Sequence, residues 1–162
     1  MSAASATEFP SERPWAYRAV LWGGLLAGVL DITGAFVTHG LRGVSPLRIL
    51  QSIAGGLLGK ASYEGGLGTA ALGVMLHFVI AFGAAFVYYA ASRRFDFLVR
   101  RPVVCGLLYG IAVYLFMNSI VLPLSAFPHK IWPRFDVVLT GLVVHMLCVG
   151  LPIALTVRRY SK

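Results

Sequence analysis

Residues 19–37 read AVLWGGLLAGVLDITGAFV, an apolar run interrupted by a single charge, Asp31. As a helix it is long enough to cross ~30 Å of hydrocarbon. It is too long for a signal-peptide core and has no small-x-small cleavage site at its end, so it reads as an uncleaved membrane helix. Three further runs of the same kind follow at 67–91, 102–122 and 135–157. The composition agrees, with 58% of the 162 residues hydrophobic and only 12% charged. Soluble domains carry about a quarter charged residues, and disordered chains are far less apolar. The predicted fold class is therefore all-α, a polytopic membrane protein built as a four-helix transmembrane bundle. Residues 1–18 read as a polar tail ending in the aromatic anchors Trp15 and Tyr17, 19–158 as the membrane domain and 159–162 as a second tail.

Basic residues set the expected orientation. Arg13, Arg18, Arg93, Arg94, Arg100, Arg101, Arg158, Arg159 and Lys162 fall on one side, and Arg42, Arg48, Lys60, Lys130 and Arg134 on the other. Dense charge in a short connection weighs most, and SRRFDFLVRR (92–101) is such a connection. Both termini are thus predicted to be cytoplasmic, in a bacterial inner membrane. The net charge of +8 is explained by this bias and by anionic lipid headgroups at the cytoplasmic face, so no nucleic acid is implied. Cys105 and Cys148 both lie in apolar runs and at different depths, which argues against a disulfide.

Between the first two spans, SPLRILQSIAGGLLGKASYEGG (45–66) is too short to cross and too apolar for a plain loop. Ser45 before Pro46 is a helix-start signal. Leu47, Leu50, Ile53, Ala54, Leu57 and Leu58 then recur at helical spacing, opposite Arg48, Gln51, Ser52 and Gly55. The segment is either a short extracytoplasmic helix in the interface or a re-entrant element made feasible by Gly55, Gly56 and Gly59. The loop PLSAFPHKIWPRFD (123–136), with three prolines and Trp132, reads as a stiff outer cap. Pro102 suits a first helical turn, Pro123 a helix exit, and Pro152 is expected to kink the fourth span.

Two hairpins, 19–91 and 102–157, share words. Gly-Leu-Leu-Ala-Gly (24–28) matches Gly-Leu-Leu-Tyr-Gly (106–110), and Gly73 and Gly141 each precede a histidine by four residues, His77 and His145. The pattern suggests a tandem repeat about the membrane normal, although Asp31 corresponds to Val113. GGLLAGVLDITGAF, GVSPLRILQSIAGGLLG, LGVMLHFVIAF and LPLSAFP together resemble a group of small, uncharacterised bacterial inner-membrane proteins with four crossings, more loosely the YagU-like proteins. The resemblance covers nearly the whole chain after the tail. It implies location and architecture, and no activity or site residue comes with it.

Inside the spans, chemistry is confined to Asp31, His77, Asn118, His145 and Cys148. At 1.5 Å per residue from each midpoint, Asp31 lies roughly 4 Å, His77 roughly 3 Å, His145 roughly 2 Å and Asn118 roughly 8 Å to the outer side. Glycine and alanine stripes share their faces: Gly24 and Gly28 with Asp31, Gly73 and Ala81 with His77, Gly141 with His145. Small residues let membrane helices approach closely, so the stripes predict that the four polar groups face one another inside the bundle. Asp31 is either a proton or cation site or a structural hydrogen-bonding group. His77 and His145 could bond between helices, handle protons with Asp31, or clamp a haem from opposite faces, with the preceding glycines leaving room for a flat ring. No metal site is expected, because diagonal helices hold their side chains too far apart. His39 and His129 read as solvated, and Tyr88, Tyr89, Tyr109 and Tyr114 as belts and packing.

No phosphate loop, nucleophile elbow or zinc-binding helix is present, which argues against an enzyme. The functional expectation is a structural or partner-binding membrane subunit. The alternatives are proton- or ion-linked transport around Asp31, His77 and His145, and a bis-histidine haem redox protein. Four helices enclose a narrow pore, so a homodimer or a membrane-protein partner fits a transport role better than a lone chain.

Overall fold

Every predicted crossing is a helix in the computed structural model, which describes residues 16–128 and 134–161. The spans are α1 (Ala16–Gly40), α3 (Gly66–Ser92), α5 (Pro102–Leu124) and α6 (Phe135–Tyr160), each long and apolar enough to cross a bilayer. Between the first two lies α2 (Pro46–Leu58), and α4 (Phe97–Arg100) is a single turn before α5. No strand occurs among the described residues. The chain is an all-α, multi-pass membrane protein, a four-helix bundle. Helix α1 begins at Ala16, three residues inside the predicted tail; Trp15, His129, Lys130 and Trp132 lie outside the described residues.

Neighbouring spans run α3–α1–α6–α5 around the bundle, which leaves α3 and α6 on one diagonal. Two kinds of contact hold them. The first is backbone approach at glycine. A Cβ at Gly110 would strike the His145 carbonyl, and one at Gly150 would strike the Gly106 carbonyl, so α5 and α6 meet almost main chain to main chain. On the other pair, the Phe82 and Phe78 rings fill the space left by Gly24 and Gly28. Lipid tails are as apolar as leucine, so this kind of close packing, not hydrophobic exclusion, associates the helices.

The second kind is a plug of Ala19, Ala85, Tyr88, Ile153, Ala154 and Val157 at the end of the bundle that carries the termini. Tyr88 is buried within it and donates to the Leu98 carbonyl in α4 at 3.1 Å. Tyr109 donates to the Ala84 carbonyl at 2.7 Å, and the two phenol rings meet edge-on at 4.9 Å. These two tyrosines are packing residues whose hydroxyls satisfy backbone carbonyls.

Around Pro152, α6 widens to a π turn over His145–Gly150, just ahead of the proline, and α5 does the same over Met117–Val121 ahead of Pro123. Proline donates no hydrogen bond and crowds the carbonyl four residues back. A turn holding one extra residue absorbs both defects while keeping helical torsions, as at Gly150 with φ −66 and ψ −48.

Helix α2 starts as predicted, with Pro46 in its first turn and the Ser45 hydroxyl accepting from the Arg48 amide at 3.4 Å. Its buried side draws on both expected faces, Ala54 from the apolar one and Gln51 and Gly55 from the polar one. Ile49, Gln51, Ala54 and Gly55 are buried, whereas Leu47, Leu57 and Leu58 are exposed. Gln51 Nε2 donates to the Gly66 carbonyl at 3.1 Å, and Gly73 makes room for the Leu50 carbonyl. A polar side chain finds backbone partners only on the protein side, so the leucines are left to face outward. From there α2 runs across the far end of the bundle to the start of the last loop, where the Ala126 amide donates to the Gly56 carbonyl at 2.9 Å.

The contrast between tight and open glycines is testable. Gly110→Val should lower stability in detergent by about 1–3 kcal/mol through overpacking. Gly83→Ala, with nothing within 4 Å of the added methyl, should leave it unchanged or raise it slightly. Thermal unfolding of the two variants separates these outcomes.

Candidate functional site

Above the plug the four spans part around a cavity of about 190 Å³. Its polar lining consists of Asp31 from α1, His77 from α3 and His145 from α6, and Ile53 of α2 forms part of its wall. The remaining walls are small or apolar, among them Ala81, Val113 and Val149. Three of the four predicted polar residues are therefore brought together. Asn118 is not: its Nδ2 donates to the Tyr114 carbonyl in its own helix at 2.8 Å, and Met117 lines the cavity in its place.

Each imidazole is held by a carbonyl, and a carbonyl can only accept. The His77 Nε2 proton therefore points to the Gly28 carbonyl at 2.8 Å, which ties α3 to α1. The His145 Nδ1 proton points to the Gly141 carbonyl at 2.9 Å, one turn back in the same helix. Each ring consequently keeps its second nitrogen as a basic lone pair when neutral. Phe78 stands edge-on to His77 at 5.5 Å and Tyr114 to His145 at 5.2 Å, which fixes both ring planes.

Asp31 Oδ1 lies 3.8 Å from His145 Nδ1, an ion pair whenever that histidine is protonated. The two side chains are only 19% and 22% exposed. A carboxylate so placed is costly in a bilayer when ionised without a cation beside it, and moving one proton between carboxylate and imidazole exchanges an ion pair for two neutral groups with no change in net charge.

The cavity is smaller than the ~300 Å³ at which sites for drug-sized ligands begin, a narrow space for a haem between His77 and His145. The glycines that were to leave room for a ring are filled by protein, Gly73 by the Leu50 carbonyl and Gly141 by the Tyr114 ring. Among the described residues, no three His, Cys, Asp or Glu side chains gather closely enough to hold a metal ion. Cys105 and Cys148 are both free thiols.

At the far end of α1 and α6 the structure adds a cluster that sequence reading passed over. Asp136 sits between Arg134, at 3.1 Å, and Arg42, at 3.4 Å, and Arg42 also reaches Thr140 Oγ1 at 3.5 Å. The signal was available: an acid and a base each stand at the same bilayer boundary on neighbouring spans.

No family model, curated protein or solved structure matches this chain. The likeness to small inner-membrane proteins rests on the quoted words alone, and the chemistry has to be argued from the site itself.

The two polar anchors should differ in weight. His77→Leu removes a bond between helices and should destabilise the bundle by about 0.6–1.7 kcal/mol. Asn118→Leu, which removes only a bond within one helix, should cost less than half as much. Unfolding by denaturing detergent measures both.

Proposed function

We propose that this chain is a bacterial inner-membrane protein, with both termini in the cytoplasm, that binds and passes protons at an Asp31–His145 pair with His77 across the same cavity. The observation that carries the reading is the cavity itself. It brings the Asp31 carboxylate and two histidines, from three different helices, to a common space large enough for several waters. Each histidine has a nitrogen left over from its carbonyl bond, and the Asp31 carboxylate lies 3.8 Å from His145 Nδ1. The size of the space suits protons or a small cation better than an organic solute.

A proton entering on His145 is stabilised by Asp31, and neutral His77 is a second acceptor across the water-sized gap. The plug of Tyr88, Ile153 and Val157 blocks the terminal end of the bundle, and Ile53 stands on the opposite side.

A structural or partner-binding subunit is the second reading, and one observation favours it. The His77–Gly28 bond is the kind of interhelical tie a purely architectural histidine makes. The sidedness rests on nine Lys and Arg residues toward the terminal end against five toward the other.

Reconstituted into liposomes with a trapped pH dye, the wild type should dissipate an imposed pH gradient, and Asp31→Asn should abolish that flux while keeping the elution profile of the folded protein. His145→Gln should do the same. Equal leak from wild type, Asp31→Asn and empty liposomes would instead favour the architectural role. Sidedness is checked separately: a fluorescent protein fused after Lys162 should glow in cells, whereas alkaline phosphatase fused there should be inactive.

A further inference from the structure

A second, larger opening lies at the other end of α1, away from the proton-binding residues. It is a cleft of about 560 Å³ between the α1 exit, the start of α2 and the turn after it. Arg48 and His39 line it together with the hydroxyl residues Ser45, Ser52 and Tyr63, over an apolar floor at Ile49. No carboxylate lines it, and Arg48 has no carboxylate partner among the described residues, in contrast to Arg42, Arg100 and Arg134. The Arg48 guanidinium lies 5.0 Å from the centre of the Tyr63 ring, which orients its planar fork without neutralising it.

The depth of the cleft indicates what meets that cation. His39 stands roughly 16 Å along the axis from the midpoint of the first span at 1.5 Å per residue. That is just beyond the ~15 Å half-thickness of the hydrocarbon, in the layer occupied by lipid phosphates. An unneutralised guanidinium, hydroxyl groups and an apolar floor at this level match a phosphate group carried on a glycerol and acyl chains.

We propose that this cleft binds a phosphate group, supplied by an anionic phospholipid of the leaflet opposite the chain termini, with Arg48 as its fixed charge. The guanidinium takes the phosphate oxygens bidentately, while the Ser45 hydroxyl, which accepts from the Arg48 amide and can donate its proton, faces the same space. The site is separate from the Asp31 cavity, so it stands whether or not that cavity passes protons.

Full-length protein in mild detergent, titrated with phosphatidylglycerol and read by native mass spectrometry, tests this. Wild type should retain one tightly bound lipid, and Arg48→Gln should weaken that first step at least ~10-fold, the loss of one charge-assisted contact. Arg48→Lys should fall between them. Ser52→Glu, which puts a negative charge into the cleft while keeping Arg48, should weaken it similarly and covers the case in which Arg48→Gln fails to fold. Arg93→Gln, at the opposite face, should change nothing. A calorimetric titration with inorganic phosphate distinguishes the source: Arg48-dependent heat without lipid retention would keep a phosphate site but take the lipid from it. Equal lipid and phosphate binding by wild type, Arg48→Gln and Ser52→Glu would overturn the proposal.

Discussion

Hydrocarbon offers no hydrogen-bonding partner, and that deficit determines where almost every polar side chain in the spans is placed. Within single helices, Thr33 and Thr38 donate back to Val29 and Gly34, Ser92 to Tyr89, Asn118 to Tyr114, and His145 to Gly141. Between elements, His77 reaches Gly28, Tyr109 reaches Ala84, Tyr88 reaches Leu98, and Gln51 reaches Gly66. The second set joins α1 to α3, α3 to α5 and α4, and α2 to α3, so the same requirement that hides polar atoms also stitches the bundle. Asp31 is the exception. A carboxylate cannot donate when ionised, and its Oδ1 meets the flank of the His145 imidazole at 3.8 Å.

The bundle is consequently unequal along its length. At the terminal end alanines, valine and isoleucine close around two tyrosines, and glycines let α5 and α6 touch main chain to main chain. Around the middle the walls remain small but the facing side chains are polar, and the packing opens into the cavity. At the far end α2 packs on α3 with Leu47, Leu57 and Leu58 outward, puts Ile53 into the cavity wall and leaves a basic cleft beside it. Charges outside the hydrocarbon follow the same division, with Arg42, Asp136 and Arg134 tied together where α1 and α6 emerge.

Much of this could be read from residues alone. The four spans, the start of α2 at Ser45 and Pro46, and the meeting of Asp31, His77 and His145 all follow from apolar run length, capping chemistry and small-residue stripes. Asn118 shows where such reading stops. Its depth was near enough, but depth does not fix azimuth, and the wide turn that holds it presents Met117 to the cavity instead. Helix α2 shows the same for facing: the alternation of leucine with polar residues marks two sides, and the backbone contact of Leu50 at Gly73 and the need of Gln51 for a carbonyl decide which residues meet the bundle. The glycines before each histidine marked close approach correctly but could not say what would approach.

The two wide turns also constrain how the chain length itself can vary. Each holds one residue more than regular winding, so everything after it is rotated by about 100° relative to an unbroken α-helix. In α6 this rotation turns Val149, Ile153, Ala154 and Val157 into the plug after His145 has been turned toward Asp31. Removing a single residue between 145 and 150 would restore ordinary winding and swing one of these two faces out to lipid.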